Sequence, residues 1–416
     1  MSERIVIKEI CEVYDGPHAT PKKTVDGPVY LGIDAITDDG KINAKEFAHL
    51  SEEDYIKWTK RVTPQYGDIV FSYEATLGRY ALIPKDFYGC LGRRLAIIRN
   101  VSKDIDTLWL YYYFLSPEWK QFIQSKIIKG STVNRISVED FPTYTVPNIS
   151  IKVQCKIANI LSKIDEKIAL NNNINDNLEQ QVAAIYDYWF TQFDFPNENG
   201  DPYCSSGGQM VWNDTLKKNI PERWKVQSVI SNRLASVIKP GIEVFDTKIY
   251  LATADVKGTT LSVGTIIDYG GRESRANMQP SINSVWFAKM KNSIKHLNLN
   301  KEMQPVISNT ILSTGFCGLQ CNEESFEYIA SYIANPYFEI HKDMLAHGAT
   351  QEAINNDDLA GVHIIVPSDA VLHAYHEITQ PIYAQISKNI CENQELVKLR
   401  DWLLPMLMNG QATISD

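Results

Sequence analysis

Apolar positions between Ile157 and Trp189 recur at alternating steps of four and three: Ile157, Leu161, Ile164, Ile168, then Leu178, Val182, Ile185 and Trp189, with Asn171 and Asn175 filling the two central places. A mean step of 3.5 residues is a heptad seam, and it predicts a long α-helix, of about 35 residues and ~50 Å, lying against another helix. Asparagine buried in such a seam weakens association but fixes register and partner. A rougher copy runs through Ile378, Ile382, Ile386 and Ile390, then Leu396, Leu399, Leu403 and Leu407, with Asn389 and Asn393 at its centre. The simplest reading pairs the two helices antiparallel within one chain, asparagine near asparagine. A homodimeric coiled coil is the alternative.

Ahead of each helix the pattern changes to short β-rich runs separated by Gly and Pro. In residues 1–150 these runs are Pro28 to Ile33, Asp68 to Ser72, Arg79 to Ile83 and Leu95 to Ile98, followed by a helical stretch from Thr107 to Ile128 that restarts at Ser116-Pro117. In residues 223–368 the runs are Ile249 to Leu251, Ser284 to Ala288 and Thr310 to Ser313. Three anchors repeat in order. Val29-Tyr30-Leu31 returns as Ile249-Tyr250-Leu251 at an offset of 220, and Phe114-Leu115-Ser116-Pro117 as Ile333-Ala334-Asn335-Pro336 at 219. Gly130-Ser131-Thr132 with Ile136, Asp140 and Phe141 returns as Gly348-Ala349-Thr350 with Ile354, Asp358 and Leu359 at 218. So long a period is a duplicated globular domain plus helix, not a solenoid. The expected fold is α+β with an internal pseudo-two-fold repeat. Its parts are a domain at 1–150, a helix at 151–190, an extended connector at 191–222, a second domain at 223–368 and a second helix at 369–416.

Length and composition fit this reading. The 416 residues allow two or three domains, and 44% hydrophobic with 22% charged residues is ordinary for a globular chain. No apolar run approaches the ~20 residues of a membrane helix. The Met1-Ser2-Glu3-Arg4 start leads into an amphipathic stretch rather than a signal peptide. Seven cysteines without C-x-x-C pairing suggest neither a disulfide framework nor a zinc knuckle, and a cytosolic protein is expected. Cys317 and Cys321 are spaced like weak metal ligands, but no partner pair follows them.

The net charge of −9 is unevenly spread. Residues 1–150 hold 19 basic and 20 acidic side chains and residues 223–368 hold 13 and 14, whereas 151–222 hold 6 and 10 and 369–416 hold 3 and 6. Every arginine except Arg400 lies outside the helical segments. Affinity for nucleic acid needs a local basic face rather than a basic average, so this balance permits DNA binding without arguing for it.

Catalytic patterns do not survive scrutiny. Neither G-x-G-x-x-G nor G-x-x-x-x-G-K-[ST] occurs. Asn335-Pro336-Tyr337-Phe338 imitates the Asn-Pro-Pro-aromatic motif of amino-methyltransferases, but its repeat counterpart is Ser116-Pro117-Glu118-Trp119. Both read as a helix cap followed by a first-turn proline. Asp106 with Glu118-Trp119-Lys120 imitates a nuclease motif, yet these residues fall on a helix and have no counterpart in the second copy. His373 and His376 read as exposed helix residues.

What remains is a set of glycine-containing loops with arginine, lysine and hydroxyls, the mixture that meets phosphates and base edges. In the first domain they supply Thr20, Lys22 and Lys23; Ser72, Thr76 and Arg79; Arg93 and Arg94; and Arg135. In the second they supply Lys239, Arg272, Arg275, Ser313 and Thr314. Ordinary solvated turns are the plainer account of each loop alone. The loops differ between copies while the anchors persist, as two separately specified recognition surfaces would.

Two segments carry a family likeness: Trp189-Phe190-Thr191-Gln192-Phe193-Asp194-Phe195-Pro196-Asn197-Glu198-Asn199-Gly200, and Leu399-Arg400-Asp401-Trp402-Leu403-Leu404-Pro405-Met406-Leu407-Met408-Asn409-Gly410-Gln411. With Asp15-Gly16-Pro17-His18-Ala19-Thr20-Pro21, which is similar to a Gly-x-Thr-Pro region, the whole chain resembles the specificity (S) subunits of type I restriction–modification systems. The second copy retains only Lys239-Pro240-Gly241 of that last motif, so no shared role is carried there. The resemblance implies two target-recognition domains, each reading half of a bipartite double-stranded DNA target, separated by two long antiparallel coiled-coil helices that act as a ruler. It implies that the helices, through Asn171, Asn175, Trp189, Phe190, Asn389, Asn393 and Trp402, recruit two methyltransferase subunits that carry restriction subunits. S-adenosylmethionine, ATP and magnesium would belong to those partners, and this chain would be non-catalytic. A fused methyltransferase, an orphan specificity subunit and an anti-restriction decoy are the alternatives.

Overall fold

The computed structural model describes residues 3–130, 133–258, 260–349 and 351–412. They form two units, Met1–Glu166 with Lys398–Asp416, and Lys167–Val397. Both are mixed helix and sheet, and each long helix contributes residues to both.

In the first unit a four-stranded sheet runs in the order Cys11–Asp15, Leu95–Asn100, Ile69–Ser72, Tyr80–Leu82, every neighbouring pair antiparallel. The inner strands are continuous apolar runs because both faces are covered. A second sheet orders Ala48–His49, Thr24–Leu31 and Gly89–Leu91, the last pair being parallel with Val29 opposite Gly89. Arg4–Val6 pairs with Thr145–Pro147 just before the first long helix. Helices Thr107–Leu115 and Pro117–Lys126 meet at Ser116, whose hydroxyl accepts from Trp119 N at 3.3 Å while proline takes the first helical position. Trp119, Phe114, Phe141 and Phe71 then fill the core, with Trp119 Nε1 donating to the Tyr80 hydroxyl at 2.8 Å.

The second unit repeats this plan. Its four-stranded sheet is Ala235–Val237, Phe316–Cys321, Ser284–Ala288, His296–Leu299, again antiparallel throughout. Its other sheet orders Thr265–Asp268, Thr247–Leu251, Thr310–Ser313 and Ala276–Met278, with Ile249 parallel to and opposite Thr310. Lys225–Ser228 pairs with His363–Val366 ahead of the second long helix. Helices Phe326–Ala334 and Pro336–Leu345 meet at Asn335, which caps Tyr337 N at 2.9 Å. The Asn335-Pro336 dipeptide is thus a helix start, as its repeat position implied. The third repeat anchor extends to Ser131, Thr132 and Thr350, which lie outside the described residues. Its glycines lie inside: a Cβ on Gly130 would sit 2.3 Å from the Val133 carbonyl oxygen, and one on Gly348 2.4 Å from that of Gln351. Both glycines thus face a carbonyl oxygen three residues on, where a side chain would not fit.

The first long helix, Ile151–Tyr186, ends earlier than the periodicity suggests; Asp187–Thr191 is a π-helical turn. The second is Asp369–Met408. Within the second unit, Asn171 Nδ2 donates to Asn393 Oδ1 (2.9 Å) and Glu392 Oε2 (2.8 Å), and Asn389 Nδ2 to Asn175 Oδ1 (2.8 Å). Rising numbers on one segment meet falling numbers on the other, so these stretches run antiparallel. Within the first unit, Ile157 and Leu161 share a core with Leu404 and Leu407, and Arg400 donates to Asp165 at 2.9 Å. Two seam positions expected in the second helix are wrong: Ile378 is 46% and Leu399 43% exposed. The buried stripe there keeps the expected Ile386 and Ile390 and adds Leu372, Tyr375, Thr379 and Tyr383. Tyr375 and Tyr383 reach the Ser331 hydroxyl on the Phe326–Ala334 helix, so the stripe is rotated to serve a second neighbour.

Candidate nucleic-acid interface

Four predicted contact loops of the first unit converge through backbone bonds. Gly16 N donates to Leu95 O (3.0 Å), Gly92 N to Leu31 O (2.7 Å), Tyr73 N to Arg94 O (3.1 Å) and Ile136 N to Tyr73 O (2.8 Å). Glycine is needed at two of these approaches, since a Cβ on Gly16 or Gly92 would lie 2.4 Å from a backbone oxygen. An open groove of about 350 Å³ results, lined by Thr20, Lys23, Tyr30, Arg93 and Arg94 together with the carboxylates of Asp34 and Glu46. Arg93, Thr20, Lys22 and Lys23 are exposed. Arg94 holds a left-handed backbone (φ 72°) and its Nε lies 3.3 Å from Glu74. The Arg135 backbone bridges Glu74, bringing that arginine to the same end.

Three residues expected to contact DNA here have their polar groups bonded or buried within the unit. Ser72 is fully buried; its hydroxyl donates to Thr76 O and accepts from Arg79 N at 3.1 Å, closing the turn. The Arg79 guanidinium is bonded to Asp38 (2.5 and 3.1 Å) and donates to Ile36 O at 3.1 Å, so it braces the loop from within the unit. The Thr76 hydroxyl is buried. Tyr73, which the sequence reading missed, packs beneath this end; burial and then the neighbouring Asp15 push its hydroxyl pKa up.

The second unit brings Lys239, Arg275 and Thr314 together. Gly241 N donates to Asn277 O at 2.9 Å and Thr314 N to Arg275 O at 2.8 Å. A Cβ on Gly315 would lie 3.7 Å from an Arg275 guanidinium nitrogen. Arg272 stacks over the Tyr269 ring, its Cζ 4.0 Å from the centroid. Ser313 is corrected: it is fully buried, and its hydroxyl accepts from Gly315 N at 3.1 Å. Sequence reasoning also missed the loop between Ser284–Ala288 and His296–Leu299, with Lys289, Lys291 and Lys295. Lys289 N donates to Gly315 O at 2.9 Å, which joins it to the cluster. Lys291 pairs with Glu352 at 2.7 Å, and Lys295 Nζ donates to Thr253 O at 2.5 Å. Sheet order was the available signal, because this loop occupies the place of Ser72 to Arg79 in the first unit.

The residues expected to face partner subunits divide sharply. Trp189 and Phe190 are buried against Tyr375 at 5.7 and 4.9 Å between ring centroids, so they secure the helix end inside the second unit. Asn171, Asn175 and Asn389 are buried too, and with Asn393 they bond within the chain. Only Trp402, 59% exposed, offers its ring outward.

The nuclease-like residues do not converge: Asp106 caps Trp109 N at 2.7 Å, while Glu118 pairs with Arg4 at 3.1 Å. Cys317 and Cys321 are buried thiols with raised pKa values, Cys317 to about 12, through burial. His376 corrects another expectation, being largely buried with Nδ1 2.8 Å from Glu327, whose own burial raises its pKa against that hydrogen bond. Among the described residues no group of three or more His, Cys, Asp or Glu could hold a metal ion, and no helix is long and apolar enough to cross a membrane.

Residues 2–180 match the family model described as the type I restriction modification DNA specificity domain. The type I restriction enzyme MjaIX specificity subunit of Methanocaldococcus jannaschii is 24% identical over 380 residues, covering 88% of this chain and 82% of that one. The HindI specificity subunit of Haemophilus influenzae is 22% identical over 399 residues, covering 83% and 86%. In fold, the chain is similar to the crystal structure of a type I system S subunit from M. genitalium, with a TM-score of 0.53 and 13% identity over 99% of this chain and 96% of that one. Residues 2–180 thus carry a type I restriction modification DNA specificity domain, and over more than four fifths of its length the chain is similar to type I specificity subunits.

Proposed function

We propose that the two units read the two halves of a bipartite double-stranded DNA target. The chain is the non-catalytic DNA-recognition subunit of a restriction–modification complex. In the first unit the readers are the groove residues Thr20, Lys23, Arg93 and Arg94 with Lys22 and Arg135. In the second they are Lys239, Arg272, Arg275, Thr314 and the 289–295 loop. The domains at 1–150 and 223–368 are joined by the connector at 191–222, and the helices at 151–190 and 369–416 form an antiparallel coiled coil that sets the distance between half-sites. The exposed outer faces of the helices, Trp402 among them, dock methyltransferase subunits, two per chain, through which restriction subunits join. S-adenosylmethionine, ATP and magnesium serve those partners, and the complex works in the cytoplasm.

The observation carrying this reading is that one strand order is built twice with different arginine- and lysine-bearing loops on it. Two readers on one framework suit a target of two unlike halves. Replacing residues 1–150 by those of another specificity subunit, then profiling methylation of host DNA, is expected to change one half of the recognised sequence and leave the other. Simultaneous change of both halves would overturn the assignment.

A further inference from the structure

A lysine in the middle of a ten-residue helix is ordinarily solvated, because taking an ammonium out of water is costly. Lys342, on the Pro336–Leu345 helix, is 0% exposed. Its Nζ lies 2.6 Å from Glu339 Oε2 and donates to three carbonyls, Ala288 O (3.3 Å), Met290 O (3.4 Å) and Ser293 O (3.4 Å). Ala288 ends the strand, and Met290 and Ser293 lie in the connection that follows it and carries Lys289, Lys291 and Lys295. The cluster continues outward: His296 Nε2 is 2.8 Å from Glu339 Oε1, and Asp343 Oδ2 accepts from Asn292 N at 3.2 Å, with Asn292 left-handed at φ 56°. Burial raises the Glu339 pKa, but hydrogen bonds from His296 and Lys342 outweigh it and hold the carboxyl below its usual range. The 219-residue offset of the two helices puts Ile123 at this place in the first unit. There the Ile123 Cγ2 methyl lies 3.9 Å from where a Cβ on Gly78 would be, beneath the corresponding loop. One loop rests on a methyl group and the other is wrapped around a charge.

We propose that Lys342 is a positioning residue for sequence readout by the second unit: its buried ammonium, locked by Glu339, moulds the 288–293 backbone and so aims Lys289 and Lys291, which that stretch carries, at DNA. The proposal rests on the reading of the second unit as a DNA reader. Apolar packing constrains a surface loop only through shape, whereas an ammonium shared between a carboxylate and three carbonyls adds a directional pull on the backbone. Such a device has a purpose where loop geometry decides which base edge is met.

The test uses the full chain in its complex, presented with a pool of randomised duplex DNA from which bound sequences are read. Lys342→Met with Glu339→Leu replaces the ion pair by apolar groups, an exchange that often leaves stability unchanged. Thermal melting checks the fold. Base preference in the half assigned to the second unit is expected to fall by about tenfold, with the other half unaltered. Should the double variant fail to fold, the near-isosteric Glu339→Gln takes its place and is expected to cost about threefold in the same half. A folded variant with undiminished preference in both halves overturns the proposal, as does equal loss in both. A wild-type chain with no preference in a second half would overturn the underlying reading itself, which the unmutated control reports separately.

Discussion

Ile128 with Arg135 and His347 with Ala353 occupy equivalent places, and each pair is joined by an antiparallel bridge. Arg135 bridges both Ile128 and Glu74; Ala353 bridges both His347 and Met290. The side chains share nothing. In the first unit the bridged pair is an arginine and a glutamate, with Arg94 also on Glu74; in the second it is alanine and methionine, and the charges sit one residue away as Lys291 and Glu352. Below these loops the situation reverses. Serine and asparagine both cap their helices by side-chain acceptance, and Trp119 is replaced by Phe338, both fully buried in aromatic company. Duplication has kept the groups that hold sheets and helices together and released those at the loop tips. Backbone geometry alone therefore does not set a reader's preference.

The sharpest way to break this comparison is to cut at the retained layer. Trp119→Ala removes a buried ring and its hydrogen bond to Tyr80; Phe338→Ala empties the equivalent place against Phe287. Each is expected to cost about 3–5 kcal/mol. Hydrogen exchange read by mass spectrometry should show protection lost mainly in the unit that carries the substitution. Equal loss in both units from either substitution would mean that the copies fold as one body.

Those retained places were the legible ones. The seam from Ile157 to Val182 could be read because burial there has one periodic cause, and the Ser116-Pro117 and Asn335-Pro336 starts because caps are local chemistry. Ile378 and Leu399 misled because apolar spacing does not say how many neighbours a helix serves. Ser72, Arg79 and Ser313 looked like contact residues because a hydroxyl or guanidinium that closes its own loop has the same composition as one that faces a ligand. Lys342 was illegible for the opposite reason. Its carbonyl partners lie some fifty residues earlier in the chain, and its local pairing with Glu339 reads like any solvated i,i+3 helix pair. The 289–295 loop was missed because its kinship with Ser72 to Arg79 lies in strand order, not in residues.

A smaller effect separates the loop tips themselves. Arg93→Ala and Arg275→Ala each remove an exposed guanidinium from a converging cluster. Each is expected to weaken DNA binding by about 1–3 kcal/mol and to relax preference in its own half-site only, measured by titration against duplexes altered in one half at a time. A loss uniform across all sequences, with a flatter salt dependence, would assign that arginine to phosphate instead. Unchanged binding would remove it from the interface.

The smallest effect tests whether equivalent caps are interchangeable. Alanine at either position forfeits a side-chain acceptor at a helix start, about 1 kcal/mol. For units of this size that is a shift of roughly 2–4 °C in melting temperature. Ser116 is fully buried, whereas Asn335 is partly exposed. Asn335→Ser imports the first unit's solution into a site with room for it and is expected to be near neutral. Ser116→Asn forces a larger amide into a closed core beside Trp119, and is expected to cost more than the loss of the cap itself, because overpacking adds about 1–3 kcal/mol. Melting of the four variants side by side decides the matter. Equal tolerance of both exchanges would mean that the Ser116 site relaxes freely, and that the two helix starts are more alike in rigidity than their burial implies.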